Sequence, residues 1–316
     1  INIPTPVMAG VRTPMRQYAS CVLVDVNDTL PSIFSSDMAV GYYTAQRAGI
    51  GLNMGRIRGI NSKIRGGEVA HTGVVPFLKK FEATVKSCTQ NGVRGGCATV
   101  HFPIWHKEIE DIIVLKNNKG SEDNRVRKLD YSIQISKLFY ERFISDDDIT
   151  LFSPHEVPGL YDAFGTEEFD KLYLKYEKDT SIFRKKVPAQ KLFFDLLKER
   201  AETGRIYIMN IDHANSHSSF KDKVNMSNLC QEITLPTDPI EHIDGQGEIA
   251  LCILSAINVG ILKNLDELEN LCDLSVRALD EIIDHQRYPV MAAEISTKAR
   301  RSLGIGYIGL AHYLAK

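Results

Sequence analysis

Apolar positions along the chain follow two periods. Continuous apolar, β-branched runs at 18–26 (YASCVLVDV) and 249–257 (IALCILSAI) predict strands covered on both faces. A third run, 205–209 (RIYIM), follows a segment reading PAQKLFFDLLKERAETG, whose pattern predicts a helix with Pro188 near its start and Gly204 as its C-cap. Helical spacing also marks 36–48, 106–116, 132–143, 167–177 and 265–283. In the last of these Leu265, Leu268, Leu271, Cys272, Leu279 and Ile283 form a stripe, so Cys272 reads as a small buried hydrophobe. Strands alternating with helices, without a repeat or a Gly/Pro/Ser-rich linker, predict one continuous α/β body.

Composition narrows the function classes. With 316 residues, 43% of them hydrophobic and 25% charged, the chain is neither a disordered nor a small stapled scaffold. The run at 249–257 falls far short of the roughly 20 residues a spanning helix needs, so no membrane role is expected. A net charge of −2 gives no broad footprint for nucleic acid. Six cysteines without a C-x-x-C pair or a metal-ligand spacing point to free thiols in a reducing cytoplasm and to no metal site. The chain opens at Ile1 and stops within GYIGLAHYLAK, so it reads as part of a longer protein.

Four signals bear on chemistry. GIGYIG at 304–309 fits the dinucleotide fingerprint, but a basic KARR segment stands where its strand should be, and dinucleotide binding is set aside. Two arginine–glycine stretches, 56–67 and 90–96, suit phosphate oxygens, although solvated surface turns would account for either alone. SNLCQE at 227–232, if extended, places Asn228, Cys230 and Glu232 on one side. A carboxylate raises the pKa of a neighbouring thiol, so chemistry there would use a neutral thiol or its one-electron oxidised form, with Glu232 as base. Incidental polar residues on a loop are the plainer alternative. Cys21 and Cys252 lie in predicted buried strands. They are inert core thiols or, if those strands are neighbours within the ~4.4–6.8 Å Cα spacing of a disulfide, a reversible dithiol.

Taken in order, PTPVMAGVRTPMRQYASC, QRAGIGLNMGRIR, RGGEVAHTG, KSCTQNGVRGG, IVLKNNKG, ITLFSPHEVPGLYDAF, TGRIYI, SNLCQE and GEIALCILSA resemble the large, catalytic subunit of class I ribonucleotide reductase over most of the chain. The resemblance implies a ten-stranded α/β barrel of two antiparallel halves of five parallel strands, with a finger loop through its middle. Residues 1–316 would be one partial barrel domain, holding about the first half and the finger loop, without the ATP-cone region.

The resemblance also implies roles. Cys230 corresponds to the thiyl-radical cysteine that removes the 3′ hydrogen, Glu232 to the base on the 3′ hydroxyl and Asn228 to the amide that orients it. Cys21 and Cys252 correspond to the pair oxidised to a disulfide as the 2′ hydroxyl leaves as water. Substrate contacts fall on Thr5 and Ser20, with backbone from Ala48 and Gly49. A dNTP or ATP effector falls on Asp28, Arg58 and Arg65, and the loop relaying effector identity on Gln90 and Arg94. Cys88 and Cys97, without a catalytic counterpart, are expected to pack.

As implied partners stand a ribonucleoside diphosphate, a second large subunit, and a metal-containing small subunit supplying the radical, this chain itself binding no cofactor beyond nucleotide effectors. Thioredoxin or glutaredoxin would act through a C-terminal tail, and a separate C-terminal half would complete a split enzyme. The chain alone is expected to be inactive. A non-catalytic nucleotide-binding or assembly module is the competing reading; a cobalamin-dependent reductase is a third, which the SNLCQE wording disfavours.

Overall fold

The computed structural model describes residues 1–89 and 95–316. Seven strands form the main sheet: β1 (Cys21–Asp25), β2 (Gly49–Asn53), β3 (Ala98–Pro103), β4 (Asp130–Ile135), β5 (Ile206–Asn210), β6 (Ala250–Asn258) and β7 (Leu303–Ile308). Their order across the sheet is β7-β6-β1-β2-β3-β4-β5. The five strands from β1 to β5 are mutually parallel. β6 joins β1 antiparallel, and β7 runs parallel to β6. This curled half-barrel is one five-stranded parallel half with two strands of opposite direction beside it, the implied barrel in part.

β1, β3 and β4 are buried along their whole length, which explains the apolar run of β1; β3 and β4 also bury polar residues, Thr99, His101, Ser132 and Gln134. Helices of the parallel half connect its strands as crossovers. Leu30–Ala45 starts at Thr29, whose hydroxyl accepts from the Ser32 amide 3.1 Å away. Ala189–Thr203 ends at Gly204 in the left-handed region (φ 74°), as its sequence predicts. The apolar core lies between sheet and helices, while a smaller cluster of Cys21, Leu23, Met226, Leu235, Ala250 and Cys252 occupies the other face of β1 and β6.

Several sequence expectations need correction. Residues 132–143 are not one helix: Asp130–Ile135 is a wholly buried strand and only Lys137–Ile144 is helical. Within 106–116 the α-helix is confined to Ile109–Ile112. Gly304 and Gly306 lie inside β7, and only Gly309 follows it, in the left-handed region (φ 76°), so the first two glycines form no turn after a strand to hold a pyrophosphate. Cys272 is exposed, because Asp266–His285 buries Ser275, Leu279 and Ile283 instead. Among the described residues no helix is long and apolar enough to cross a membrane.

Burial also fixes a protonation state within the frame. His106 sits between the Ile57 carbonyl (2.9 Å from Nε2) and the Glu108 amide, which donates to Nδ1 at 3.1 Å. Neutral imidazole satisfies both; a second ring proton would face the Glu108 N–H. Burial accordingly pushes the His106 pKa from 6.5 down to about 4. As pH falls through that interval, the unfolded chain takes up a proton that the native chain refuses, so stability is lost with acidification. Thermal melts of the wild type and His106→Gln from pH 7 to pH 4 are expected to show a steeper loss for the wild type below pH 6.5. Asp25 and Glu108, whose pKa values are raised, are common to both proteins and cancel in the difference.

Candidate active site

Between the helix Ile211–Ser216 and β6 the chain forms a loop that crosses the inner face of the sheet. Its approach depends on glycine. A Cβ on Gly51 would lie 2.3 Å from the Ser227 carbonyl oxygen, and one on Gly49 2.8 Å from Leu229 Cδ2. At Gly51 the collision is with backbone and would force the loop from the sheet, at the ~1–3 kcal/mol typical of overpacking, whereas at Gly49 the Leu229 side chain would have to shift. Thr99 of β3 then donates its hydroxyl to the Leu229 carbonyl at 2.7 Å. The spacing Gly49-x-Gly51 within a strand is the sequence signal that could have announced a close backbone approach.

Residues 227–232 are not extended. Ser227 bridges to Thr234, and the Asn228 amide donates to the Ile233 carbonyl at 3.3 Å. The Asn228 side-chain oxygen accepts from the Ile233 amide at 3.1 Å, closing a tight turn with Gln231 in the left-handed region (φ 68°). The Gln231 side chain points back to the sheet, where it meets Ser132 Oγ (3.0 Å) and His101 Nε2 (3.3 Å). Complete burial holds His101 neutral, with its pKa down to about 3. Asn228, Cys230 and Glu232 do face one cavity, but the turn and not a period of two brings them there.

The same cavity meets one of the two strand cysteines, Cys21; Cys252 is buried behind it in the inner cluster and does not line the cavity. Cys21 and Cys252 are directly opposed across the antiparallel β1/β6 pair, the adjacency the sequence leaves open. Opposed antiparallel residues have Cα atoms ~4.5–5.5 Å apart, inside the disulfide range. The Asn228 side-chain Nδ2 donates to Cys21 Sγ at 3.1 Å, and that thiol points to Glu232 Oε1 at 3.7 Å. Burial first, then the Glu232 carboxylate, pushes the Cys21 thiol far above its ordinary range and Cys252 up to about 12. Cys230 is raised by the same two causes in the same order. All three are therefore protonated at neutral pH, which suits hydrogen-atom and proton delivery and disfavours thiolate attack.

The cavity, of about 260 Å³, is lined on its other side by Thr5, Ser20, Arg47, Gly49 and Cys97. Thr5 begins the helix Thr5–Arg12, and Ser20 Oγ is buried with no hydrogen-bond partner among the described residues. Arg47, which sequence reasoning missed, enters through a left-handed backbone (φ 73°) just after Leu30–Ala45. Ala48 is buried and not among the lining residues. Cys97 does not simply pack, since it lines the cavity; Cys88 does pack, near Gly41.

The expected effector residues lie elsewhere. Arg58 binds both carboxylate oxygens of Asp28, through its amide at 3.0 Å and Nε at 2.7 Å, and reaches the Lys63 carbonyl at 2.9 Å. Arg65 stands exposed at the start of the short turn Arg65–Gly67. Gln90 and Arg94 lie outside the described residues.

If Glu232 holds up the thiol pKa values, Glu232→Gln must lower them. Iodoacetamide labelling at pH 8, resolved by peptide mapping, is expected to modify exposed Cys272 first and the buried Cys21 and Cys252 last in the wild type. In Glu232→Gln, labelling of Cys21 and Cys252 accelerates relative to Cys272; unchanged ratios would count against the electrostatic assignment.

Comparison with known proteins bears on the same geometry. The family model "Ribonucleotide reductase, barrel domain" matches residues 19–316. The chain is 58% identical to the ribonucleoside-diphosphate reductase subunit alpha of Haemophilus influenzae, matching along 100% of its own length and 43% of that protein. It is 57% identical to ribonucleoside-diphosphate reductase 1 subunit alpha of Escherichia coli K12 and 47% identical to the subunit alpha of Enterobacteria phage T4, covering 42% of each. The chain thus spans less than half the length of these relatives. A barrel model matched from just ahead of Cys21 through β7, together with this identity along the whole chain, places it in the ribonucleotide reductase family, within the barrel domain.

Proposed function

We propose that the chain is the part of a ribonucleoside-diphosphate reductase catalytic subunit that carries the reducing thiols and the radical cysteine. The observation that supports this most directly is the registered opposition of Cys21 and Cys252 beside the turn bearing Asn228, Cys230 and Glu232. In this reading Cys230, as a thiyl radical, takes the 3′ hydrogen and becomes a thiol. Glu232 accepts the 3′-hydroxyl proton. The 2′ hydroxyl leaves as water, protonated by a neutral thiol of the Cys21/Cys252 pair, which supplies two electrons and ends as a disulfide. Cys230 returns a hydrogen atom to C3′ and regains its radical. Each turnover converts one ribonucleotide and two thiols to one deoxyribonucleotide, one water and one disulfide.

The unpartnered Ser20 hydroxyl supports a substrate oxygen at that end of the cavity, with Thr5 and Arg47 toward its phosphates. Gly49 contributes backbone, and Ala48 only through its main chain. Asp28, Arg58 and Arg65 would receive a dNTP or ATP effector, with Gln90 and Arg94 relaying its identity. A metal-containing small subunit would supply the radical, a second large subunit would complete the effector site, and a thiol reductant of the thioredoxin or glutaredoxin kind would restore the dithiol.

The test is CDP reduction by the reductase containing this chain, supplied with its small subunit and dithiothreitol. Cys230→Ser is expected to abolish dCDP formation while leaving CDP binding by calorimetry within about threefold, since a hydroxyl nearly replaces the thiol in volume but not in hydrogen-atom chemistry. A wild type that binds dTTP yet forms no dCDP would select the non-catalytic module instead. Without external reductant, the wild type is expected to form one dCDP per chain on the Cys21/Cys252 pair and accumulate the corresponding disulfide-linked peptide. Loss of that peptide with unchanged product would remove the pair from the mechanism.

A further inference from the structure

Alternate residues of β1 face the loop. Val22 and Val24 belong to the core between sheet and helices, whereas Cys21 and Leu23 belong to the inner cluster. Asp25 continues the inner series and is wholly buried. Each inner residue has a counterpart on the loop: Cys21 receives Asn228 at 3.1 Å, Leu23 clusters with Met226, and Asp25 Oδ2 accepts from Asn225 Nδ2 at 3.2 Å. The strand and the loop are thus zipped in opposite senses, with a catalytic candidate at one end and a buried carboxylate at the other.

That carboxylate is costly, and the structure surrounds it accordingly. Asn53 of β2 donates to its other oxygen at 2.7 Å, and Arg56 Nε lies 3.7 Å away. Asn53 is itself fixed by Tyr161, whose hydroxyl donates to Asn53 Oδ1 at 2.9 Å. On the loop side, Gln134 donates to the Asn225 carbonyl, Asn215 brackets both backbone groups of Val224, and Lys223 donates to the carbonyls of Tyr161 and Asp162. Asp25 is the carboxylate within this set that touches a loop side chain, and burial against an ion pair makes its geometry exacting.

We propose that Asp25 is a positioning residue, which through Asn225 sets the register of the cysteine loop along β1 so that Asn228 meets the Cys21 thiol. The inference rests on the function proposed above only in treating this loop as catalytic. Its structural content concerns the placement of 225–233 against β1.

Hydrogen exchange of the Asn228 and Ile233 amides, both bonded within the turn, reads that placement directly. Asn225→Ala removes the loop contact and leaves Asp25 with Asn53 and Arg56. It is expected to speed exchange at these two amides about tenfold, with Ile50 and Val100 of the sheet unchanged. Asp25→Asn combined with Asn225→Asp reverses the carboxylate and amide across the same contact and is expected to restore slow exchange relative to Asn225→Asp alone. Wild-type exchange in Asn225→Ala would overturn the proposal, as would equal acceleration at Ile50 and Val100, which marks a purely structural role. Should Asn225→Ala fail to fold, the reciprocal pair decides: restored protection sustains the register, and no restoration overturns it. In the reductase assay the same loop variant is expected to lower kcat with KM unchanged. A wild type devoid of reductase activity would sink the functional reading while leaving the exchange result to judge the register.

Discussion

The antiparallel pairing of β1 with β6 is the interaction on which the rest of the site depends. It reverses strand direction at the boundary of the parallel half and sets Cys21 against Cys252. Because side chains alternate with a period of two, a slip of one residue by either strand of that ladder would turn its own thiol toward the helices and leave the other without a partner. Register along this one pair therefore decides whether two thiols face a common space.

A second constraint is the absence of side chains at Gly49 and Gly51, which lets loop backbone lie against sheet. The polar groups that then hold it are mostly amides and hydroxyls: Thr99, Ser132, Gln134, Gln231 and Asn228. Neutral groups suit a place where burial and Glu232 already lift the pKa of Cys21, Cys230 and Cys252, since they hold the loop without adding a formal charge at the thiols. The ion pair of Asp25 and Arg56 is set at the far end of β1 from Cys21.

Much of the frame was legible in the sequence because burial on two faces leaves an unbroken apolar run, as in 18–26 and 249–257, and because Gly204 stops a helix in a recognisable way. The failures have separate causes. Residues 130–135 alternate polar and apolar positions as a strand does, but the run is short and leads directly into the helix Lys137–Ile144, so the two periods merge when 132–143 is read as one element. Cys272 belongs to a helix whose apolar stripe is wider than the face it buries. Cys21, Cys252, Asn228, Cys230 and Glu232 could be named individually, and the resemblance to known reductases gathered them. What local pattern could not supply was the turn at Gln231 or the entry of Arg47, since both depend on left-handed backbone at non-glycine residues, which tertiary contacts impose.

The β1/β6 pairing has a kinetic corollary. Asn228 and the thiol it touches are separated by 207 positions, with four parallel crossovers between them. Loop closure over such distances comes late and slowly, after the local βα units have collapsed. During synthesis Cys21 emerges before its partners and waits until β6 has left the ribosome. Its high thiol pKa is a property of the finished pocket, so for that interval the strand carries an ordinary, more reactive sulfur. The chain is thus most open to adventitious oxidation before it is folded, and the burial that tunes the site also closes that window.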